Sequence, residues 1–101
     1  MAREKKKINS RYYVVVGTDH VLGYFIQIVD LEFVGHEKDF SGDGYVFDWD
    51  MMFGTSISSL VDERGNPYRP SREDKAATII DFLKKTLVSG KIFNKFDINN
   101  K

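Results

Sequence analysis

The sequence contains no cysteine, so disulfide bonds, thiolate zinc sites and cysteine nucleophiles are excluded. Small secreted domains commonly depend on disulfides, and their absence favours a reducing compartment, so we expect a cytoplasmic protein. No apolar run is long enough to cross a bilayer, and the charged N-terminal residues are not followed by the apolar stretch of a signal peptide. We therefore expect a soluble protein without a membrane partner.

Motifs of the main enzyme classes are also missing. There is no nucleophile elbow and no glycine-rich phosphate loop, and the two imidazoles, His20 and His36, fall in predicted loops. Asp48 and Asp50 share one face of a predicted strand, which permits acid–base chemistry but is more typical of a solvated surface. The sequence therefore predicts a protein that is not an enzyme and has no resident cofactor.

What is present is the composition of one globular domain. The 101 residues are 42% hydrophobic, 30% charged and 14% aromatic, and a few buried aromatics of roughly 150–250 Å² each can support a core without cross-links. The net charge is zero but unevenly distributed. The segment from Asp19 to Glu63 holds ten acidic residues and one basic residue, a net charge of −9, so the remainder carries +9. These regions could pair within one molecule or between two copies.

Strand-forming patterns occupy the first half of the chain. Residues 1–10 are polar and basic, without periodicity, and predict a disordered arm. Residues 11–17 and 24–34 are rich in aromatic and β-branched side chains and are separated by turn formers, which predicts a hairpin. Residues 45–49 again resemble a strand, with Tyr45, Phe47 and Trp49 on one face, whereas the structure of 51–63 stays open.

One helix is predicted from about Arg72 to Ser89. Ser71 and Asp74 are spaced as a capping pair at its start, and Gly90 suits its end. Its apolar stripe comprises Ala76, Ile79, Ile80, Leu83 and Leu87. The expected fold is α+β, an antiparallel three- to four-stranded β-meander packed on one face by a single C-terminal amphipathic helix. A single domain is expected over 11–89, followed by a C-terminal tail over 90–101.

Apolar side chains outside this core suggest a binding surface. Phe82 lies off the apolar stripe of the helix, and Phe93 and Phe96 lie in the tail. The tail could fold back over Phe82, or these aromatics could contact another molecule, as aromatics at interfaces do. The primary hypothesis is a small non-enzymatic interaction or regulatory module that binds a protein partner or self-associates as a homodimer through these three residues.

A nucleic-acid-binding module is the first alternative. Its phosphate contacts would be the basic residues of the N-terminal arm and first strand: Arg3, Lys5, Lys6, Lys7 and Arg11. The neighbouring Tyr12 and Tyr13 could stack on bases. The acidic central segment would repel phosphates if it shared a face with these residues.

A calcium-binding module is the second alternative. Residues 39–50 have the spacing of an EF-hand loop, with Gly44 at the turn position and candidate oxygen ligands at Asp39, Ser41, Asp43, Tyr45 and Asp50. However, the last ligand is Asp rather than Glu, and no predicted helix leads into the loop. A hairpin turn over 41–44 accounts for the same aspartate and glycine residues.

Overall fold

The computed structural model describes residues 2–37, 39, 42–62 and 64–88. Within them the chain forms five strands and then one helix: β1 (Ala2–Lys7), β2 (Tyr12–Asp19), β3 (Gly23–Asp30), β4 (Tyr45–Asp50), β5 (Gly54–Ser58) and α1 (Ala76–Val88). Each strand pairs antiparallel with the next, in the order β1-β2-β3-β4-β5. The α+β class and the antiparallel meander are confirmed, and the predicted three to four strands are corrected to five.

Strand β1 replaces most of the arm that was expected to be disordered. It pairs with β2 from Ala2 opposite Thr18 to Lys7 opposite Tyr13. Its sequence lacks apolar alternation because β1 lies at the edge of the sheet, where charged side chains discourage pairing with other strands. An edge strand of this composition cannot be told from a polar tail by pattern alone.

The predicted hairpin of the next two strands is confirmed as β2–β3, but its second strand ends earlier than expected. Strand β3 stops at Asp30 rather than continuing to residue 34. The Asp30 carboxylate accepts a hydrogen bond from the Glu32 amide at 2.9 Å, and the Asp30 carbonyl accepts one from the Phe33 amide at 3.0 Å. These bonds favour a turn over further strand, because they use amides that a ladder would need.

The hydrophobic cluster that includes the helix lies on one face of the sheet, which we call the helix face. Its strand residues belong to one buried cluster with Ile79 and Leu83 of α1, and they include Tyr12, Ile26, Ile28, Phe47 and Trp49. The Trp49 indole nitrogen donates a hydrogen bond to the Ser71 carbonyl at 3.2 Å. This contact anchors the segment that precedes the helix against the sheet.

Helix α1 begins at Ala76, four residues later than predicted. The expected capping pair does form, since the Asp74 carboxylate accepts a hydrogen bond from the Ser71 amide at 2.7 Å. The Ser71 carbonyl, however, accepts from the Asp74 amide and from Trp49 rather than from a residue four positions later. The pair therefore closes a turn before the helix and does not cap the helix itself.

A bulge in β4 corrects the predicted faces of this strand. Ile28 lies opposite Phe47, whereas Val29 lies opposite Tyr45, so Val46 is an extra residue in the ladder. Because a bulge shifts the alternation of side chains by one, Tyr45 leaves the face it was expected to share with Phe47 and Trp49. It projects on the opposite side of the sheet.

Candidate functional site

The side of the sheet opposite α1, which we call the open face, carries charges in an ordered pattern. The register places its residues in three rows that cross β1, β2, β3 and β4 in turn: Arg3, Gly17, Phe25 and Asp50; Lys5, Val15, Gln27 and Asp48; Lys7, Tyr13, Val29 and Tyr45. Every row begins with a cation on β1. Two of them end with a carboxylate on β4, and the third ends with a phenol. The two middle strands contribute no charge to these rows.

Contacts and shape support this assignment of faces. The Lys5 ammonium lies 4.2 Å from the centre of the Tyr13 ring, so the two side chains share the open face. A cleft of about 240 Å³ also opens there. Its lining is Arg3, Asp19, Leu22, Phe25, Gln27, Tyr45, Asp48 and Asp50. The cleft therefore brings a β1 cation and two β4 carboxylates to one concave surface.

Asp48 is the carboxylate most affected by this surface. Burial raises the pKa of Asp48 and the nearby charge of Asp50 adds to the increase, while hydrogen bonds from Gln27 and Ser56 partly oppose it. A carboxylate that is partly desolvated beside another carboxylate is stabilised by protonation or by an approaching cation. A positive group that approaches Asp48 on the open face is therefore favoured.

We expect Asp48→Asn to change how stability depends on pH. The pKa of Asp48 is raised in the folded state, so its protonated form stabilises the fold at low pH, and this contribution is lost as the pH rises through the folded pKa. The stability of the variant should not fall in this way as the pH rises. The variant should therefore be at least as stable as the wild type at neutral pH. Urea unfolding measured from about pH 3 to pH 7 checks this expectation. Glu73→Gln, which changes an exposed carboxylate, is the control. If stability depended on pH in the same way in Asp48→Asn and in the wild type, the raised pKa of Asp48 would be contradicted.

A second surface is formed by two neighbouring turns at one end of the sheet. Four large apolar side chains are exposed there, and we call them the tip surface: Val21 (61% exposed), Met51 (53%), Met52 (46%) and Phe53 (68%). The β2–β3 and β4–β5 turns lie side by side, because the Met51 amide donates to the Tyr24 carbonyl at 3.0 Å. Exposed apolar side chains grouped in this way mark interaction sites more often than isolated ones do.

Both turns of the tip surface are held by a carboxylate. Asp50 accepts hydrogen bonds from the amides of Met52 and Phe53, at 3.0 and 2.7 Å. Asp19 accepts from the amides of Val21 and Leu22, at 2.8 and 3.1 Å, and these bonds lower the pKa of Asp19. The apolar side chains are thus presented from two turns that are each fixed by hydrogen bonds to an aspartate.

Of the three residues predicted for protein interaction, the structure describes Phe82. Phe82 is half-buried, with its ring centre 4.0 Å from that of Tyr68, which in turn stacks on Phe47 at 6.0 Å. Burial in this stack raises the pKa of Tyr68 to about 12. Phe82 thus packs on the body of the domain, while Phe93 and Phe96 lie outside the described residues. The three consecutive apolar residues Met51, Met52 and Phe53 could have indicated an exposed binding surface, but the same pattern is also typical of a buried strand end.

The basic residues of the nucleic-acid hypothesis do not form one surface. Arg3, Lys5 and Lys7 share the open face, but Lys6 projects on the other side of β1. Arg11 is engaged by Asp30 through two hydrogen bonds of 2.8 and 2.9 Å. The candidate stacking residue Tyr12 is buried in the core. Because Asp48 and Asp50 also lie on the open face, a phosphate backbone there would meet both signs of charge.

The described residues of the calcium hypothesis lie on strand β4 and in the connection that precedes it. Tyr45 and Asp50 are the two ends of β4, which separates their backbones by about 16 Å at 3.3 Å per residue. Calcium ligands lie about 2.3–2.6 Å from the ion, so these two residues cannot share one. Asp39 instead accepts hydrogen bonds from the amides of Gly35 and Gly44. Asp43 follows in the same connection, and Ser41 lies outside the described residues.

Two further observations bound the chemistry of the described residues. In that part of the chain, no group of three or more acidic or histidine side chains is arranged to hold a metal ion. Nor is any helix among those residues long and apolar enough to cross a membrane.

Comparison with protein-family models, curated proteins and solved structures finds no match for this chain. Its function must therefore be argued from its own surfaces.

Proposed function

We propose that this protein is a small non-enzymatic interaction module that binds a protein partner through the tip surface. The observation that carries the proposal is the grouping of Val21, Met51, Met52 and Phe53, each at least 46% exposed, on two adjacent turns. Methionine and aromatic residues are enriched at protein interfaces, because they bury much area and adapt to the partner's shape. Side chains held on fixed turns also lose less entropy on binding than those on a loose loop.

The chemistry around the tip surface favours a partner with basic groups beside its apolar residues. Asp19 and Asp50 hold the two turns, and both also line the adjacent cleft. The hydrogen bonds that lower the pKa of Asp19 keep it charged at neutral pH. Complementary charge at the rim of an apolar contact mainly increases the association rate and the specificity. The partner segment is therefore expected to be amphipathic and basic.

We expect the double substitution Met51→Ser/Phe53→Ser to abolish capture of the partner without unfolding the domain. Each side chain is more than half exposed, so the fold loses little burial, whereas an interface loses its apolar contacts. Affinity capture with the wild type and the variant should recover one stoichiometric protein with the wild type alone. With that protein purified, titration should show binding at least about 100-fold weaker for the variant, since two buried apolar side chains contribute roughly 1.5–3 kcal/mol each.

The chain offers a matched control for loss of exposed apolar area. Leu31 and Val34 are 46% and 47% exposed in the turn that follows β3, away from the tip surface. Leu31→Ser/Val34→Ser should retain the captured protein at wild-type affinity. Equal loss with both double variants, or retention with both, would count against the tip surface as the binding site.

A further inference from the structure

The open face carries cations on β1 and carboxylates on β4, at opposite sides of the four strands. Three strand spacings separate β1 from β4 along each row, so the two backbones are about 14 Å apart. An ion pair needs the charged atoms within about 4 Å. Among the described residues, Arg3, Lys5 and Lys7 form no ion pair with Asp48 or Asp50. The rows of Arg3 and Lys5 thus each hold a cation and a carboxylate that are separated by two strands, and the row of Lys7 holds a cation and a phenol.

A twofold rotation pairs these charges between two copies. Consider an axis parallel to the strands, above the open face and between β2 and β3. Rotation about it preserves the level of each row, while it places β1 over β4 and β2 over β3 of the second copy. Lys5 then lies over Asp48, Arg3 over Asp50, and Lys7 over the ring of Tyr45, where a cation is also favourable. Every pairing occurs twice.

The same rotation places residues of β2 over uncharged residues of β3 in the second copy. Gly17 lies over Phe25, Val15 over Gln27, and Tyr13 over Val29 of the second copy. Gly17 has no side chain, so it makes no steric conflict with Phe25 of the second copy. Stacked sheets keep their strands within about 30° of each other at a separation of about 10 Å, which this arrangement allows.

We infer that two copies of this chain associate through their open faces, with β1 of each copy over β4 of the other. This homodimer goes beyond the proposed partner binding, because its contacts are the rows of the open face rather than the apolar side chains of the tip surface, and it stands if the tip surface fails its test. Asp50, which is 8% exposed, lies beside both surfaces. Val15, Phe25 and Val29 are already buried in one copy, so the contact adds ion pairs more than apolar area. The association is therefore weak, with a dissociation constant on the order of 100 µM, and it is weakened further by salt.

Charge reversal in the middle row tests the inference. Sedimentation of the full chain up to about 500 µM should show a reversible dimer at about 50 mM salt and mostly monomer at about 500 mM. Lys5→Glu and Asp48→Lys should each weaken dimerisation at least about tenfold, because each replaces two attractive pairs with two repulsive ones. Lys6→Glu makes the same charge change on the other side of β1 and should leave the dimer intact.

Mixing the two reversed variants provides a test that loss of folding cannot imitate. In a heterodimer of Lys5→Glu with Asp48→Lys, both middle-row pairs again join opposite charges. We expect the mixture to dimerise more strongly than either variant alone, and the double variant Lys5→Glu/Asp48→Lys to recover dimerisation by itself. Asp48→Asn, which removes a charge without adding one, should give an intermediate loss.

Several results would overturn the inference. These are a chain that stays monomeric at about 500 µM in low salt, a dimer equally weakened by Lys6→Glu, and reversed variants that do not complement each other. A dimer lost on Phe93→Ser/Phe96→Ser but unaffected by Lys5→Glu would assign the contact to the C-terminal segment instead. None of these results bears on capture of a partner by the tip surface, so the two proposals fail separately.

Discussion

Replacement of Arg11 by methionine is expected to lower the free energy of unfolding by about 3–5 kcal/mol. The guanidinium binds the Asp30 carboxylate through two hydrogen bonds and lies 3.0 Å from Glu32. The Asp30 side chain is fully buried and that of Arg11 is 13% exposed. Without the guanidinium, a buried carboxylate loses its compensating charge, and this desolvation cost dominates the change. Urea unfolding followed by Trp49 fluorescence measures it.

The surface ion pair of α1 is the control for this effect. Lys85 lies 3.4 Å from Asp81, and both side chains are more than two-thirds exposed. Lys85→Met should therefore cost no more than about 0.5 kcal/mol. Arg11→Lys should fall between the two, since an ammonium keeps the charge but cannot form the two-pronged contact. A loss below about 1 kcal/mol for Arg11→Met would show that Asp30 is stabilised mainly by other groups.

Substitution of Gly44 by alanine is expected to destabilise the fold by about 2–5 kcal/mol. Gly44 has a φ of 78°, a region that L residues other than glycine rarely adopt. An added Cβ would lie 2.6 Å from Val34 Cγ2 and 2.8 Å from the Asp30 carbonyl oxygen. The backbone there is fixed, because the Asp30 amide donates to the Gly44 carbonyl at 2.9 Å and the Gly44 amide donates to Asp39 at 2.9 Å. The clash therefore adds to the backbone strain.

Substitution of Gly42 by alanine distinguishes the backbone strain from the steric clash. Gly42 has nearly the same φ, 77°, but an added Cβ would meet no atom within 4 Å. Gly42→Ala should cost only the strain of the left-handed backbone, about 1–2 kcal/mol. Thermal unfolding of both variants under one condition compares them directly. Equal losses would mean that the surroundings of Gly44 move aside to accept the methyl group.

The parts of the fold that follow from side-chain periodicity were predictable. The β2–β3 hairpin, the strand character of Tyr45–Asp50 and the apolar stripe of α1 each depend on local alternation, which the sequence displays directly. The turn held by Asp50 also depends on neighbouring residues, because an aspartate before a break in the strand pattern favours such hydrogen bonds. These elements are specified by residues close together in the chain.

What could not be predicted depends on contacts between distant residues. Strand β1 is stabilised by backbone pairing with β2, and its polar side chains do not have a pattern that predicts a strand. The pairing of Arg11 with Asp30 joins residues 19 positions apart, so Arg11 looked like one more member of a basic arm. The bulge at Val46 moved Tyr45 to the open face and completed the third row. The ordered charges of the open face became visible only once the register of four strands was known.

The order of the strands also bears on how the chain reaches its fold. Each strand pairs with the one that precedes or follows it, so the sheet contains no crossover connection. Closing a short loop costs little chain entropy, and proteins dominated by such local contacts fold faster than other β-rich proteins. The sheet can therefore grow one hairpin at a time, in the same order as its strands emerge from the ribosome.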